Sequence, residues 1–461
     1  MPVTFLDSAA ASGALPVFAV AQGEAEPFLA RQPQRHQTWL RAQGWHGQAG
    51  RILLLPGESG APEGAVIGLG TGEDRFAIAA LATALPAGTW HIAQAPASLQ
   101  PDHIAFALAI GAYAFKRYKA DAKKEAPSFV WPEGADRADV TRIVEGVTLA
   151  RDLVNMPASD MGPEELSRAA QTLAEAHGAR FSVIVGDDLL AQNYPMVHAV
   201  GRASARSPRL ARFAWGDERH PRLALVGKGV CFDSGGLDIK TAAAMATMKK
   251  DMGGAACVLG LAHMIMDAQL PVRLDVLVPA VENAISCTAF RPGDVLPSRK
   301  GLTVEIGNTD AEGRLILADA LAEADAAKPD LLVDIATLTG AARVATGFEL
   351  PPFFTDDEDL ASALMRHAAA EQDPMWRLPL WKGYESWIEG KVANLTNSAD
   401  SAYAGAITAA LFLRRFTAEA RSWVHFDIAA WTDKPKPGRP AGAEAHVIRA
   451  LYALVRERYA R

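Results

Sequence analysis

The chain has 461 residues, 49% hydrophobic and 21% charged, a balance that builds large buried cores, leaves room for more than one domain and excludes an intrinsically disordered polypeptide. Its formal charge is -7, from 53 acidic and 46 basic side chains, so no net basic field draws polyanions and nucleic acid is not an expected partner. The cysteines, Cys231, Cys257 and Cys287, are too few and too scattered for a disulfide framework or a thiolate zinc site, which points to a reducing, cytoplasmic setting.

In chain order, the opening segment MPVTFLDSAAASGALPVF lacks the basic region of a signal peptide, and no apolar stretch is long enough to span a bilayer. Residues 51–56 (RILLLP) and 65–69 (AVIGL) read as short strands, and 104–118 (IAFALAIGAYAFKRY) as a helix. The segment 119–139, KADAKKEAPSFVWPEGADRAD, mixes charge with Pro132 and Gly134 and breaks periodicity, so the domain boundary is placed near residue 135. Beyond it, strands expected at 222–227, 273–281, 330–336 and 422–428 alternate with helices such as 255–268 and 313–327. The expected fold is therefore α/β in two domains: a smaller N-terminal α/β domain over 1–135, and a larger C-terminal domain over 136–461 with a central, mostly parallel sheet flanked by helices.

Chemistry-bearing residues gather where these strands end, the edge at which open α/β sheets bind ligands. Segment 222–240, RLALVGKGVCFDSGGLDIK, runs from an apolar strand into Lys228, Asp233 and Lys240, with glycines that let the backbone turn and approach a ligand closely. In MKKDMGG, starting at Met248, Asp251 precedes a Gly-Gly pair that opens a helix. GNTDAEGRLIL over 307–317 sets Asp310, Glu312 and Arg314 at every second position before another helix.

Asp233, Asp251, Asp310 and Glu312 supply carboxylates that would repel one another and rise in pKa if clustered alone. Two divalent cations would balance them, and such oxygen ligands suit zinc, manganese or magnesium. Lys228 is the unusual member, since an amine with a reference pKa of about 10.4 ligates a metal only after losing its proton.

Taken singly, each of these residues fits a solvated surface or a helix cap better than a site, and only the joint pattern favours chemistry. The glycine-rich segment fits neither phosphate-binding spacing, and its acid would repel phosphate. Ser234 lacks the G-x-S-x-G frame of a nucleophile. His425, on an apolar strand, reads as a hydrogen-bonded core histidine, Cys231 and Cys257 as core, and Met248 as core packing until a substrate is placed. A dinuclear phosphoesterase could use the same carboxylates, but such sites recruit histidines and these three segments contain none.

NTDAEGRLILADAL at 308–321, together with VGKGVCFDSGG and MKKDMGG, resembles the signature of the leucine aminopeptidase family, over roughly 150–415. The resemblance implies a cytoplasmic metalloprotease that hydrolyses the N-terminal residue, preferably leucine or another apolar residue, from peptides with a free N-terminus. It implies one metal, zinc or manganese, on Lys228, Asp233, Asp251 and Glu312, and a second on Asp233, Glu312 and Asp310. Lys240 and Arg314 match the family's catalytic positions, the former stabilising the oxyanion and the latter holding a bicarbonate. Met248, Thr337, Leu338 and Gly340 would line the substrate pocket. The resemblance further implies a macro-like N-terminal domain and a homohexamer of two stacked trimers. Some relatives also bind DNA as regulators, a role that the acidic chain argues against. The C-terminal WTDKPKPGRPAGAEAH departs from the family's glycine- and threonine-rich ending.

Overall fold

A computed structural model describes residues 1–7, 9, 12–119 and 126–460; within the charged segment 119–139, residues 120–125 lie outside the described residues. The chain divides into two units, residues 1–148 with 433–441, and residues 149–432 with 442–461. Among the described residues no helix is long and apolar enough to cross a membrane.

The first unit is built on a 6-stranded sheet, in the spatial order Thr4–Leu6, Pro127–Val130, Gly88–Gln94, Leu15–Val20, Pro62–Gly68, Ile52–Pro56. Its strands pair in parallel except for Ile52–Pro56, which runs antiparallel to Pro62–Gly68. Val17, Ala19 and Val20 of Leu15–Val20 are buried, and Val20 packs with Phe28, Leu40, Trp45 and Val66 in one core. The helix expected at 104–118 occupies Pro101–Gly111, starting earlier at the helix-compatible proline and ending sooner. Its last residue comes close to a neighbour: a Cβ on Gly111 would lie 2.3 Å from Ala79 O.

The second unit carries a 9-stranded sheet ordered Trp376–Arg377, Pro352–Phe354, Trp423–Asp427, Leu331–Ala336, Arg222–Gly227, Arg273–Asn283, Arg209–Trp215, Arg180–Val185, with Gly229–Asp233 added beside the far end of Arg273–Asn283. The middle of this sheet is parallel, and antiparallel pairs lie toward both edges. The central strands match the apolar runs 222–227 and 330–336, because strands covered on both faces show no polar alternation. Ala224 and Val226 join Leu315, Ile316 and Phe412 in one core cluster, under the helices Gly313–Ala326 and Gly405–Arg414. Leu223 and Leu225 point to the opposite face, where Gly253–Asp267 packs against the same strand and against Ile448–Tyr459.

Helix Ile448–Tyr459 starts at a strained point, since Val447 is buried and β-branched yet has φ +64°. Asp373 holds that point: its carboxylate, 3% exposed, accepts from the backbone N–H groups of Val447, Arg449 and Ala450 at 3.2, 3.0 and 3.2 Å. Asp373→Ala leaves these donors buried and unmet and is expected to cost about 1–3 kcal/mol of stability, read as a lowered urea midpoint, with a smaller loss for Asp373→Asn. An unchanged midpoint in Asp373→Ala would remove this cap from the account.

Candidate metal centre and active site

Strand Arg222–Gly227 ends at the C-terminal edge of the sheet, and Lys228 follows it directly. Its backbone is fixed on both sides: its N–H donates to Ile335 O at 3.0 Å and its carbonyl accepts from Ala255 N at 2.9 Å. The Gly-Gly pair makes that approach possible, because a Cβ on Gly254 would lie 2.1 Å from Ile335 O and one on Gly253 2.2 Å from the Ala430 Cβ. The helix Gly253–Asp267 thus seats its N-terminus on the strand ends and brings Asp251, on the turn just before it, to the Lys228 ammonium.

Lys228 is 3% exposed, and its Nζ donates to Thr337 O at 2.8 Å and lies 2.8 Å from Asp251 Oδ2 and 3.0 Å from Glu312 Oε1. The two carboxylate oxygens meet it as ion pairs, off the angles of a hydrogen bond. Across the site, Lys240 Nζ lies 2.8 Å from Asp233 Oδ2 and 2.5 Å from Asp310 Oδ1. Asp233, Asp310 and Glu312 offer ligand oxygens that all fall within 4.8 Å of one another. Asp251 stands outside that trio and joins it through Lys228. Four predicted acids and both predicted lysines therefore meet at one place.

Arg314 opens helix Gly313–Ala326 beside them, with Nη1 donating to Asn397 O at 2.7 Å and a buried Nε that has no hydrogen-bond partner. Met248 is 6% exposed on the same short helical turn as Asp251. Thr337 Oγ1 donates to Asp251 O at 3.0 Å, Leu338 follows it half-buried, and Gly340 is exposed at the start of the helix Gly340–Thr346. His425, by contrast, is wholly buried, with Nδ1 2.5 Å from Asp334 Oδ1 and its ring stacked on Phe354, as befits a core histidine.

The electrostatics show what the cluster lacks. Burial opposes the charge of Lys228, but Asp251, Glu312 and Asp233 outweigh it and hold its pKa above the usual value. Lys240 is raised in the same way, burial being overcome by Asp233. The carboxylates remain frustrated: burial and the neighbouring Asp251 push Asp233 up to about 6 despite Lys240 and Lys228, and burial with Asp233 pushes Glu312 well above its ordinary range. Acids so placed need more positive charge than two ammonium groups provide. Hard oxygen donors, close-set and partly without hydrogen bonds at Asp310 Oδ1 and Glu312 Oε1, fit divalent cations. Arg314 falls to about 10 through burial, against the pull of Glu312 and Asp427.

Several residues that organise the site lie outside the three sequence motifs. Asn283, at the end of strand Arg273–Asn283, donates from Nδ2 to Asp233 Oδ1 at 3.0 Å and to Thr309 O at 3.1 Å. Its place at a C-terminal strand edge was the available signal. Thr309 and Asp238 tie two site loops together, Thr309 N donating to Asp238 Oδ2 at 2.7 Å and Asp238 N to Thr309 Oγ1 at 2.8 Å. Asn397 accepts from Gly307 N at 2.8 Å and donates to Asn308 O at 2.7 Å, and Asp427 accepts from Leu338 N and Thr339 N at 2.9 and 3.1 Å. Nothing local in the sequence marks Asn397, which acts from a distant loop.

Against known proteins, residues 148–452 match the family model "Cytosol aminopeptidase family, catalytic domain", and residues 15–131 match "M17 aminopeptidase, N-terminal domain". A probable cytosol aminopeptidase of Roseiflexus castenholzii is 37% identical over 456 residues, covering 90% of this chain and 91% of the relative. The crystal structure of a cytosol aminopeptidase from Coxiella burnetii superimposes with TM-score 0.93 at 44% identity, covering 97% of each chain. A bottromycin maturation enzyme, BotP, solved in complex with Mn, superimposes with TM-score 0.87 at 31% identity, covering 96% of this chain and 99% of that one.

The packing around Lys228 generates a test. A Cβ on Gly313 would stand 2.5 Å from the Lys228 Cε and 2.6 Å from its Nζ, so Gly313→Ala must displace the ammonium although alanine favours the helix itself. Expected is roughly 10–100-fold weaker binding of divalent metal, in the range of supporting-residue changes around metal sites, with an unchanged circular dichroism spectrum. Wild-type metal affinity in Gly313→Ala would show that Lys228 is not required in its observed place.

Proposed function

The chain belongs to the cytosol aminopeptidase family and is a metal-dependent aminopeptidase, and on that premise we propose that it removes a leucine or other apolar N-terminal residue from peptides by a mechanism using two divalent cations. The observation that carries this reading is the meeting of Asp233, Asp310 and Glu312 within 4.8 Å beside Lys228, Asp251 and Lys240. Asp233, Asp251, Glu312 and Lys228, the last as the neutral amine once the cation displaces its proton, would hold one cation, and Asp233, Glu312 and Asp310 the other, as zinc or manganese. What two such ions supply when bound is an anchor for a free α-amine, polarisation of the scissile carbonyl and an acidified water for attack on it.

The protein's own groups do the remaining work. Lys240, its side chain 13% exposed at the rim of the cluster, donates from Nζ to the oxygen on which negative charge develops. Arg314 would hold an anion, bicarbonate, which would supply a general base beside the cations. Support for that role is its buried guanidinium, held on one side by Asn397 O and leaving Nε without a partner. Met248, Thr337, Leu338 and Gly340 receive the first side chain, supported by the backbone that Asp427 and the Asp251 carbonyl fix around them. We place the enzyme in the cytoplasm, where its free cysteines stay reduced, and carry over the homohexamer of the resemblance, to which the exposed apolar side chains Val344, Val392 and Tyr403 offer contact surface.

Removal of Asp233 or Glu312 as Asp233→Ala or Glu312→Ala is expected to abolish tight metal binding and turnover together, measured by metal analysis and leucine release. Lys240→Ala should keep its metal and lose about 10²–10³-fold in kcat, the cost of a lost oxyanion donor. Arg314→Ala should likewise keep its metal and turn over more slowly. Wild-type turnover by metal-stripped Asp233→Ala would end the two-cation reading, and unimpaired turnover by Arg314→Ala would end that residue's role.

A further inference from the structure

The face of the larger sheet that carries helix Gly313–Ala326 changes character along its strands. Toward Lys228 it is apolar, with Val226 and Leu277 side by side in the core beneath the helix. Toward the other end of the same strands, Arg180, Ala214, Asp275 and Ala224 form one row across four neighbours, and Arg222 and Arg273 stand in the next. The helix ends there too, so the small Ala324 and the exposed Ala327 are what it sets beside that row. Small side chains on both layers leave a recess of about 290 Å³, its walls including Ala214, Leu277, Ala324 and Ala327 and the charged Arg180, Arg212, Arg222, Asp275 and Glu323.

The charges here are unevenly matched. Arg180 and Arg273 both reach Glu218, at 3.0 and 3.2 Å, and Arg212 reaches Glu323 at 2.8 Å. Arg222 is left with a contact of 3.4 Å to Asp275, and among the described residues its guanidinium makes no hydrogen bond. Asp275 is equally under-served. Its other ion pair, to Arg273, is 3.7 Å long, its Oδ2 has no hydrogen-bond partner, and burial holds its carboxyl above the ordinary range despite both arginines. Helix Gly313–Ala326 adds partial negative charge, since no basic side chain in its last turn offsets the C-terminal carbonyls. The recess thus offers an open guanidinium fork to an anion, and acids with a helix C-terminus to a cation, around apolar walls.

We propose that this recess is a second, non-catalytic binding site for a free α-amino acid with an apolar side chain. Arg222 takes the carboxylate, Asp275 and Glu323 with the helix end take the ammonium, and the alanine-lined walls take the side chain. A phosphate dianion would meet repulsion from both acids, and an apolar acid without an amine would leave them unserved. The volume lies at the lower bound of roughly 300 Å³ for ligand pockets, which suits a single amino acid. That such a molecule is what the enzyme releases rests on the aminopeptidase reading; the chemistry of the recess does not. The site is remote from the metal centre. Strand Arg222–Gly227 and helix Gly313–Ala326 each have one end here and the other beside Lys228 or at Arg314, and the helix alone spans roughly 20 Å.

The experiment titrates leucine, leucinamide and N-acetyl-leucine calorimetrically into the full chain after chelation, so that no metal competes for the amine, in wild type, Arg222→Met and Ala327→Trp. Expected is saturable binding of leucine that weakens by roughly tenfold or more when either charged group of the ligand is masked. Leucine binding should fall by a similar factor in Arg222→Met, which removes the fork, and in Ala327→Trp, which fills the recess from its exposed rim. With metal restored, leucyl-anilide turnover in both variants should match wild type. No saturable binding of leucine to the wild-type protein, or either masked ligand binding as tightly as leucine, overturns the proposal. Leucine binding unchanged in both variants also overturns it, placing the ligand elsewhere on the chain, and if Arg222→Met does not fold, the exposed Ala327→Trp decides alone. A wild-type protein that binds leucine in this way, yet releases none from leucyl-anilide once metal is restored, would sink the aminopeptidase reading and leave this site standing.

Discussion

The contact on which the site depends is the buried Lys228 ammonium, 2.8 Å from Asp251 Oδ2, 3.0 Å from Glu312 Oε1 and donating to Thr337 O. These partners come from different stretches of chain, one before helix Gly253–Asp267, one at the head of helix Gly313–Ala326 and one after strand Leu331–Ala336. A charge taken out of water is tolerated only where opposite charge and hydrogen bonds surround it, so the cluster holds two strand ends and two helix starts in one arrangement. The arrangement is itself unbalanced, because the acids gathered to satisfy two lysines repel one another, raising Asp233 and Glu312 through burial and mutual proximity. A site whose carboxylates are short of positive charge is a site prepared for cations.

The backbone makes that density of charge attainable. Gly253, Gly254 and Gly313 each stand where a Cβ would collide with a strand carbonyl, a neighbouring residue or Lys228 itself. Amide and hydroxyl groups then lock the loops, Asn283 across Asp233 and Thr309, Asn397 beneath the Asn308 turn, and Asp427 under Leu338 and Thr339. Preorganisation of this kind gives a metal centre its geometry before any ion arrives.

The central strands and both major helices of the larger unit were legible because doubly covered strands are apolar almost throughout, as in Leu223–Val226 and, Asp334 apart, Leu331–Ala336, and because their helices are bounded by Gly-Gly and Gly-Arg openings. The antiparallel margins were not, since short pieces such as Pro352–Phe354 and Trp376–Arg377 carry too few residues to show a period. Gly111, at the end of its helix, lies against Ala79 with no room for a Cβ, a tertiary contact that no local pattern encodes. At the site, residues sharing a motif could be grouped on sight. Asn397 reaches the NTDAEG turn from 90 residues away in sequence, its Oδ1 accepting from Gly307 N, and Asp427 reaches Leu338 from 89. Such long-range partners appear only once the chain is folded.

The central claim is that this charge-frustrated cluster is a divalent-cation site for hydrolysis at a free N-terminus. Its most direct test is leucine release from a leucyl-anilide and a Leu-Gly peptide, each beside its N-acetylated form, before chelation, after chelation and after zinc or manganese is returned. Activity is expected to disappear with the metal, to return with it, and to be confined to the free-amine substrates. Undiminished cleavage after complete metal removal, or equal cleavage of the acetylated substrates, would contradict it.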